Sequence, residues 1–154
     1  MADKISKEKR SEMMSRVRGR DNKSTEMALV EVFRRFKITG WRRQRTIPLG
    51  IFTERNKPRH VTPDFVFPGR RLAIFVDGCF WHGCPLHATL PKTNTDFWMN
   101  KIQKNKARDK IVASALRERG WCVMRIWEHS LTPRGTPALV RRLRRRISVE
   151  LWEV

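Results

Sequence analysis

The chain has 154 residues, with 34 Lys and Arg against 15 Asp and Glu, a formal charge of +19. A packed domain that basic calls for a polyanionic partner, nucleic acid first. A hydrophobic fraction of 40% excludes a disordered basic tail. No apolar run is long enough for a membrane span, and MADKISKEKR has no apolar segment of the kind that directs secretion. Three cysteines, an odd number, argue against a disulfide framework and for a reducing compartment.

Residues 1–22 are charged and carry no long apolar stripe, which predicts a basic arm or a short helix ahead of one domain, 23–154. Ser24 is a candidate N-cap for a helix whose buried face is Leu29, Val32, Phe33 and Phe36, ended by Gly40. Pro48, Gly50, Asn56 and Pro58 mark a charged surface loop over 48–61. His60 to Phe67 reads as a strand whose pairing Pro63 limits, and Leu72 to Val76 as a central strand after a Pro68-Gly69 turn. This hairpin would bring Asp64 and Asp77 onto neighbouring strands. Thr95 is a candidate cap for a long helix through Arg119, with Trp98, Ile102, Val112, Ala115 and Leu116 inside. Trp121 to Trp127 is a further strand. Thr136 and Pro137 open a last helix carrying Leu139, Leu143 and Ile147. The mixture predicts an α/β layer structure.

The loop after the central strand holds Cys79, Cys84 and His87, spaced C-x4-C-x2-H. Sulfur and imidazole donors in one loop suit a tetrahedral Zn²⁺ site, which needs a fourth donor. His129, His82, Cys122 and His60 are the candidates, Cys122 lying inside a strand where core packing is the simpler reading. Asp64 opens the apolar run F-V-F, an expensive place for an acid unless it binds something. Phosphodiester hydrolysis needs a hard cation held by oxygen and a base for water. Asp64 fits the first role and His82 the second, with zinc ligation as the alternative for His82. Asp77 is a second candidate acid, although Asp77-Gly78 also reads as a turn. Phe80, Trp81 and Trp98 are either core or rings for stacking on bases. Arg141–Arg146 reads as a solvated helix face or a set of phosphate contacts.

Several stretches together carry a resemblance. They are P-D-F at Pro63–Phe65, F-V-D-G-C-F-W-H-G-C-P at Phe75–Pro85, T-x-F-W at Thr95–Trp98 and I-W-E-H at Ile126–His129. R-S-x-x-M-S at Arg10–Ser15 and R-D-x-x-S-x-E at Arg20–Glu26 precede them. In this order they closely resemble the very-short-patch-repair (Vsr) DNA mismatch endonucleases, from about residue 5 to residue 145. The resemblance implies a restriction-endonuclease-like α/β core, a central mixed sheet flanked by helices, with a structural zinc. It implies Mg²⁺-dependent nicking of duplex DNA 5′ to the thymine of a T·G mismatch. Asp64 is then the Mg²⁺-binding aspartate, joined by the position of Val76 through its carbonyl. His82 is the general base, and Glu26 an active-site acid on the first helix. Phe80, Trp81 and Trp98 match aromatics that wedge into the base stack. Cys79, Cys84, His87 and His129 match the zinc positions, which selects His129 as fourth ligand.

The chain also departs from the family pattern. Asp77 stands where some members have His, as a candidate second metal-ligating acid. In the D/E-x-K motif of related nucleases the third position is Lys, but here it is Cys79. His87 and His129 stand where some members use Cys. The 50–61 loop looks longer, with Arg55, Lys57, Arg59 and His60 available for phosphates. Two other readings stay in view: a Vsr-like endonuclease with a different DNA target, and a non-catalytic zinc-bearing DNA-binding module. The implied setting is a cytoplasmic, nucleoid-associated bacterial monomer on mismatched double-stranded DNA, with no membrane contact and room for a mismatch-repair protein partner.

Overall fold

A computed structural model describes residues 25–50 and 59–148, with single positions 6, 8, 9 and 12 ahead of them. The rest of the expected arm, Ser24, Arg55 and Lys57 lie outside the described residues. Helix α1 spans Glu26–Arg35 and buries Leu29, Val30, Val32 and Phe33. Glu26 in its first turn and Arg34 and Arg35 in its last complement the helix dipole. Thr25, not Ser24, occupies the N-cap position. The helix also stops before Gly40. Lys37 takes the left-handed conformation at φ 53°. Its N–H donates to Arg34 O at 3.2 Å and that of Ile38 to Phe33 O at 2.8 Å. This is the double bond of a Schellman end, built with Lys where Gly is usual. Phe36 therefore sits just beyond the helix, half-buried against the core.

Strand β1 is Arg42–Arg43, β2 Ile47–Pro48, β3 His60–Val61, β4 Phe65–Phe67 and β5 Leu72–Asp77. Helix α2 spans Thr95–Glu118, β6 Cys122–Trp127 and helix α3 Thr136–Ile147. The main sheet has the order β1-β4-β5-β6, and β2 with β3 forms a separate antiparallel ribbon. The run from His60 to Phe67 is thus two strands in two sheets. It breaks at Thr62–Asp64, where Pro63 has no N–H to give a ladder. β4 pairs antiparallel with β5, Phe65 opposite Ile74, as the hairpin reading required. β5 pairs parallel with β6, Asp77 beside Trp127, and α2 is the crossover such a pair demands.

Both faces of the sheet are covered. Phe65, Phe67, Leu72, Ile74, Met124 and Ile126 pack on α1 and on Leu139, Val140 and Leu143 of α3. Val66 and Ala73 pack on Ala115 and Leu116 of α2, with Ile47 and Leu49 of the ribbon. The result is a mixed α/β sandwich. Two side chains depart from expectation. Cys122 is exposed, not core: it is the first residue of β6, the edge strand of the main sheet. Thr95 lies inside the first turn of α2, and Asn94 holds the cap position. The Thr95 hydroxyl instead donates to Pro91 O at 3.0 Å, tying the incoming loop to the helix. Among the described residues no helix is long and apolar enough to cross a membrane.

Candidate active site

The site forms at the C-terminal ends of the parallel strands β5 and β6, on the face that α2 covers. Asp64 precedes β4, and its Oδ2 accepts from the Val76 N–H at 2.7 Å. In an extended strand one residue's amide and carbonyl point the same way, so the Val76 carbonyl faces the Asp64 side too. Burial pushes the Asp64 carboxyl up to about 6, with the Glu26 and Asp77 charges adding to it and the Val76 N–H and Arg125 opposing. Glu26 is buried at the start of α1, and its Oε2 accepts from Arg43 Nη2 and Gln44 Nε2, each at 3.1 Å. Gln44 also donates its backbone N–H to Asp64 O at 3.1 Å. One residue therefore spans the two acids. The Asp64 carboxylate and the Val76 carbonyl offer the hard oxygen donors that a divalent cation such as Mg²⁺ takes.

His82 lies in the turn after β5. Its Nδ1 sits 2.6 Å from Asp109 Oδ2, an acid of α2. Because a carboxylate only accepts, Nδ1 is the donor in this pair, and Nε2 is the ring nitrogen not engaged by Asp109. Burial pushes Asp109 up, but the His82 hydrogen bond and the Arg125 charge outweigh it and leave its carboxyl below the ordinary value. Asp77 is buried at 3% exposure and does not close on the histidine: its Oδ1 is 3.8 Å from His82 Nδ1. Arg125 of β6 instead grips it with two hydrogen bonds, Nε to Oδ2 and Nη2 to Oδ1, both 2.6 Å. Asn105, one turn before Asp109 on α2, donates to Trp81 O at 2.9 Å and pins the same turn.

A second group lies alongside. Cys79, Cys84, His87 and His129 bring one donor atom each within 4.8 Å of one another. His129 Nδ1 is 3.3 Å from Cys79 Sγ and 3.6 Å from Cys84 Sγ, and His87 Nδ1 is 3.7 Å from Cys84 Sγ. Donors at the corners of a tetrahedron around Zn²⁺ are about 3.3–3.8 Å apart, from bonds of ~2.0–2.3 Å. The four residues fit such an ion. Of the other sequence candidates, His82 turns to Asp109, Cys122 is exposed, and His60 is exposed on β3.

Phe80, Trp81 and Trp98 do meet. Ring centroids are 5.2 Å apart for Phe80–Trp81, 5.3 Å for Phe80–Trp98 and 5.9 Å for Trp81–Trp98. Trp98 is the buried member at 7% exposure, while Phe97 beside it is 57% exposed. Lys101 lies over Trp81, Phe97 and Trp98 at 5.3 to 5.8 Å. On α3, Arg141, Arg142, Arg144, Arg145 and Arg146 are all exposed. Arg142, Arg145 and Arg146 line a groove with Val123, Met124 and Arg125 of β6, the edge strand of the main sheet.

Sequence reading missed Asp109, Arg125, Gln44 and Phe97. A signal existed for two of them. Asn105 and Asp109 are short polar residues one turn apart on a helix otherwise rich in Lys and Arg. Arg125 shares the Val123 face of a strand, which α2 covers.

A profile of the family described as DNA mismatch endonuclease Vsr matches residues 2–87. The type II nicking enzyme V.XorIIP of Xanthomonas oryzae pv. oryzae is 38% identical over 94% of this chain and 96% of its own length. The type II nicking enzyme V.NaeI of Lentzea aerocolonigenes is 45% identical over 52% of this chain, which spans 48% of that relative. The DNA mismatch endonuclease Vsr of Escherichia coli is 47% identical over 47% of each chain.

Proposed function

The chain belongs to the Vsr family of DNA mismatch endonucleases, and from that premise we propose that it nicks one strand of a duplex beside a T·G mismatch. It is a DNA endonuclease, and DNA is its partner. The observation that carries the mechanistic reading is the His82–Asp109 pair at 2.6 Å, which engages Nδ1 and leaves Nε2 for the attacking water. His82 takes the proton of the attacking water at Nε2, and Asp109 holds the ring and faces the imidazolium that results. Asp64 and the Val76 carbonyl would hold Mg²⁺, which when bound supplies a Lewis acid at the phosphoryl oxygen. Glu26 is the acid behind Asp64, and Gln44 sets the distance between them. Asp77 lies beside them with both oxygens bonded to Arg125.

In this reading residues 23–154 are one domain with a restriction-endonuclease-like core, preceded by an arm. Cys79, Cys84, His87 and His129 would hold a structural zinc that fixes the turn bearing His82 to the end of β6. Phe80 and Trp81 are the rings that enter the base stack, backed by Trp98. A mismatched step costs less to unstack, so insertion there selects for it. A second reading, a different DNA target, is favoured by the relative that matches nearly end to end, which is named a type II nicking enzyme.

One experiment tests both. The protein is incubated with Mg²⁺ and duplexes that are matched or carry a T·G pair in varied contexts, and nicks are mapped on each strand. Nicks 5′ to the mismatched thymine support the first reading; nicks confined to a matched sequence replace it with the second. Asp64→Ala and His82→Ala should each lose roughly 10²-fold or more in rate. Normal cutting by either variant removes its assigned role.

A further inference from the structure

We propose that Arg125 is the positioning residue of the histidine: its guanidinium joins Asp77 to Asp109 and so fixes the acid that orients His82. The inference rests on the reading of His82 as general base.

Arg125 lies on β6 beside Phe75 of β5, two residues before the position paired with Asp77. Its guanidinium lies 4.9 Å from the Phe75 ring centroid. From there it reaches two carboxylates carried by different elements. Nε and Nη2 take both oxygens of Asp77 at 2.6 Å, and Nη2 lies 3.2 Å from Asp109 Oδ1. The other oxygen of Asp109, Oδ2, meets His82 Nδ1 at 2.6 Å. The chain of contacts is therefore Asp77, Arg125, Asp109, His82, running from sheet to helix to turn.

This arrangement does two things. The last torsion of an Asp side chain is broad and roughly two-fold, so a carboxylate held at one oxygen can still turn. Arg125 holds the second oxygen of Asp109, which sets the plane of the acid and hence the ring of His82. Arg125 also keeps Asp77 occupied. Asp77 Oδ1 is only 3.8 Å from His82 Nδ1, and a modest rotation would make it a rival acceptor. Both its oxygens are bonded to the guanidinium instead, which holds the carboxylate against that rotation. Asp77 is then the anchor of Arg125, in place of the direct metal or catalytic role that its sequence position suggested. Lysine cannot replace the arginine, since a single ammonium lacks the planar fork that spans two carboxylates.

The test uses the full chain with Arg125→Lys, Arg125→Gln and, as reference, His82→Ala. Four quantities are measured on each: the single-turnover nicking rate, DNA affinity, melting temperature, and the His82 ring-nitrogen resonances at one fixed pH. Arg125→Lys should lower the nicking rate about 10–100-fold while DNA affinity stays within about threefold. The His82 nitrogens should shift from one tautomer toward a mixture. If Arg125→Gln does not fold, Arg125→Lys carries the test alone. Nicking by Arg125→Lys at the parent rate, with His82→Ala inactive, overturns the inference and leaves the base reading standing. A rate loss matched by an equal loss of affinity overturns it too, since Arg125 would then be touching DNA. So does a rate loss with lower melting and unchanged His82 resonances, which would make Arg125 a staple between β5 and β6. If His82→Ala itself nicks at the parent rate, the base reading falls, and the inference with it.

Discussion

Asp64→Asn should make the Mg²⁺-free protein more stable while it removes the activity. The Asp64 carboxyl is raised from its ordinary 3.8 to about 6, by burial first and by Glu26 and Asp77 after it. The folded chain thus holds this proton more tightly than the unfolded chain does. Below 3.8 both states keep the proton and there is no penalty; between 3.8 and 6 stability falls as pH rises; above 6 the full penalty stands. At ~1.4 kcal/mol per tenfold difference in proton affinity, that penalty is about 3 kcal/mol, and ~1–3 after allowance for partial solvation. Asparagine is neutral, has nearly the same shape, and keeps an oxygen to accept from the Val76 N–H. Urea unfolding of both proteins in Mg²⁺-free buffer at pH 8, 7, 6 and 5 measures the difference. Asp64→Asn should be the more stable at pH 8, and the gap should close as pH falls through 6 toward 5. Adding Mg²⁺ should then stabilise the parent and leave Asp64→Asn unchanged. A variant that is less stable at pH 8, or a gap that does not change with pH, refutes the argument that this acid is held charged at a cost to the fold.

Cys84→Ala should lose bound zinc and melt at a lower temperature, because a metal bound only by the folded chain contributes its binding free energy to folding; elemental analysis and thermal melts decide it. Trp81→Ala should reduce nicking of a mismatched duplex far more than it weakens binding to matched DNA, whereas a purely structural ring would lower melting and leave the mismatch-to-match ratio alone. Affinity for matched DNA should fall steeply with salt. Replacing Arg142, Arg145 and Arg146 by Ala should flatten a log–log plot of affinity against salt by roughly one for each phosphate that the groove no longer neutralises, and an unchanged slope means that the groove on α3 takes no part. Lys37→Gly should stabilise by about 0.5–1 kcal/mol in urea melts, because Lys37 is a left-handed C-terminal position that glycine occupies without strain.

The elements that were legible in the sequence are those that bury one face. Leu29, Val32 and Phe33 declared α1, and Leu139 and Leu143 declared α3, because helical spacing and burial coincide there. β1 was illegible: an edge strand of Arg42 and Arg43 has no apolar alternation, and its charges blunt the edge. The helix end at Lys37 was hidden because the left-handed position carries no glycine. Cys79, Cys84 and His87 could be read as a donor group because metal chemistry restricts residue type so narrowly, whereas His129 was singled out from four candidates by the family resemblance alone. Asp109 could not, since its role depends on a crossover that brings the middle of α2 over the turn after β5, and nothing local announces that meeting. Asp77 was read as a candidate second metal-ligating acid or a turn residue, because sequence shows the carboxylate and not the guanidinium that grips it.

The parallel pairing of β5 with β6 has a consequence for the growing chain. Asp64, Val76 and His82 are made before α2, Asp109 lies within it, and Arg125 and His129 come after it. A parallel pair closes only when the intervening helix has crossed over, and contacts so distant in sequence form late. A nascent chain that has reached residue 87 already carries every motif matched by the family profile, yet its histidine has no acid behind it. The donor group is equally incomplete until His129 arrives. The ends of β5 and β6 are thus a place where distant parts of the chain close on one another: the turn after β5 meets the middle of α2 through His82 and Asp109, and the end of β6 through Cys79 and His129.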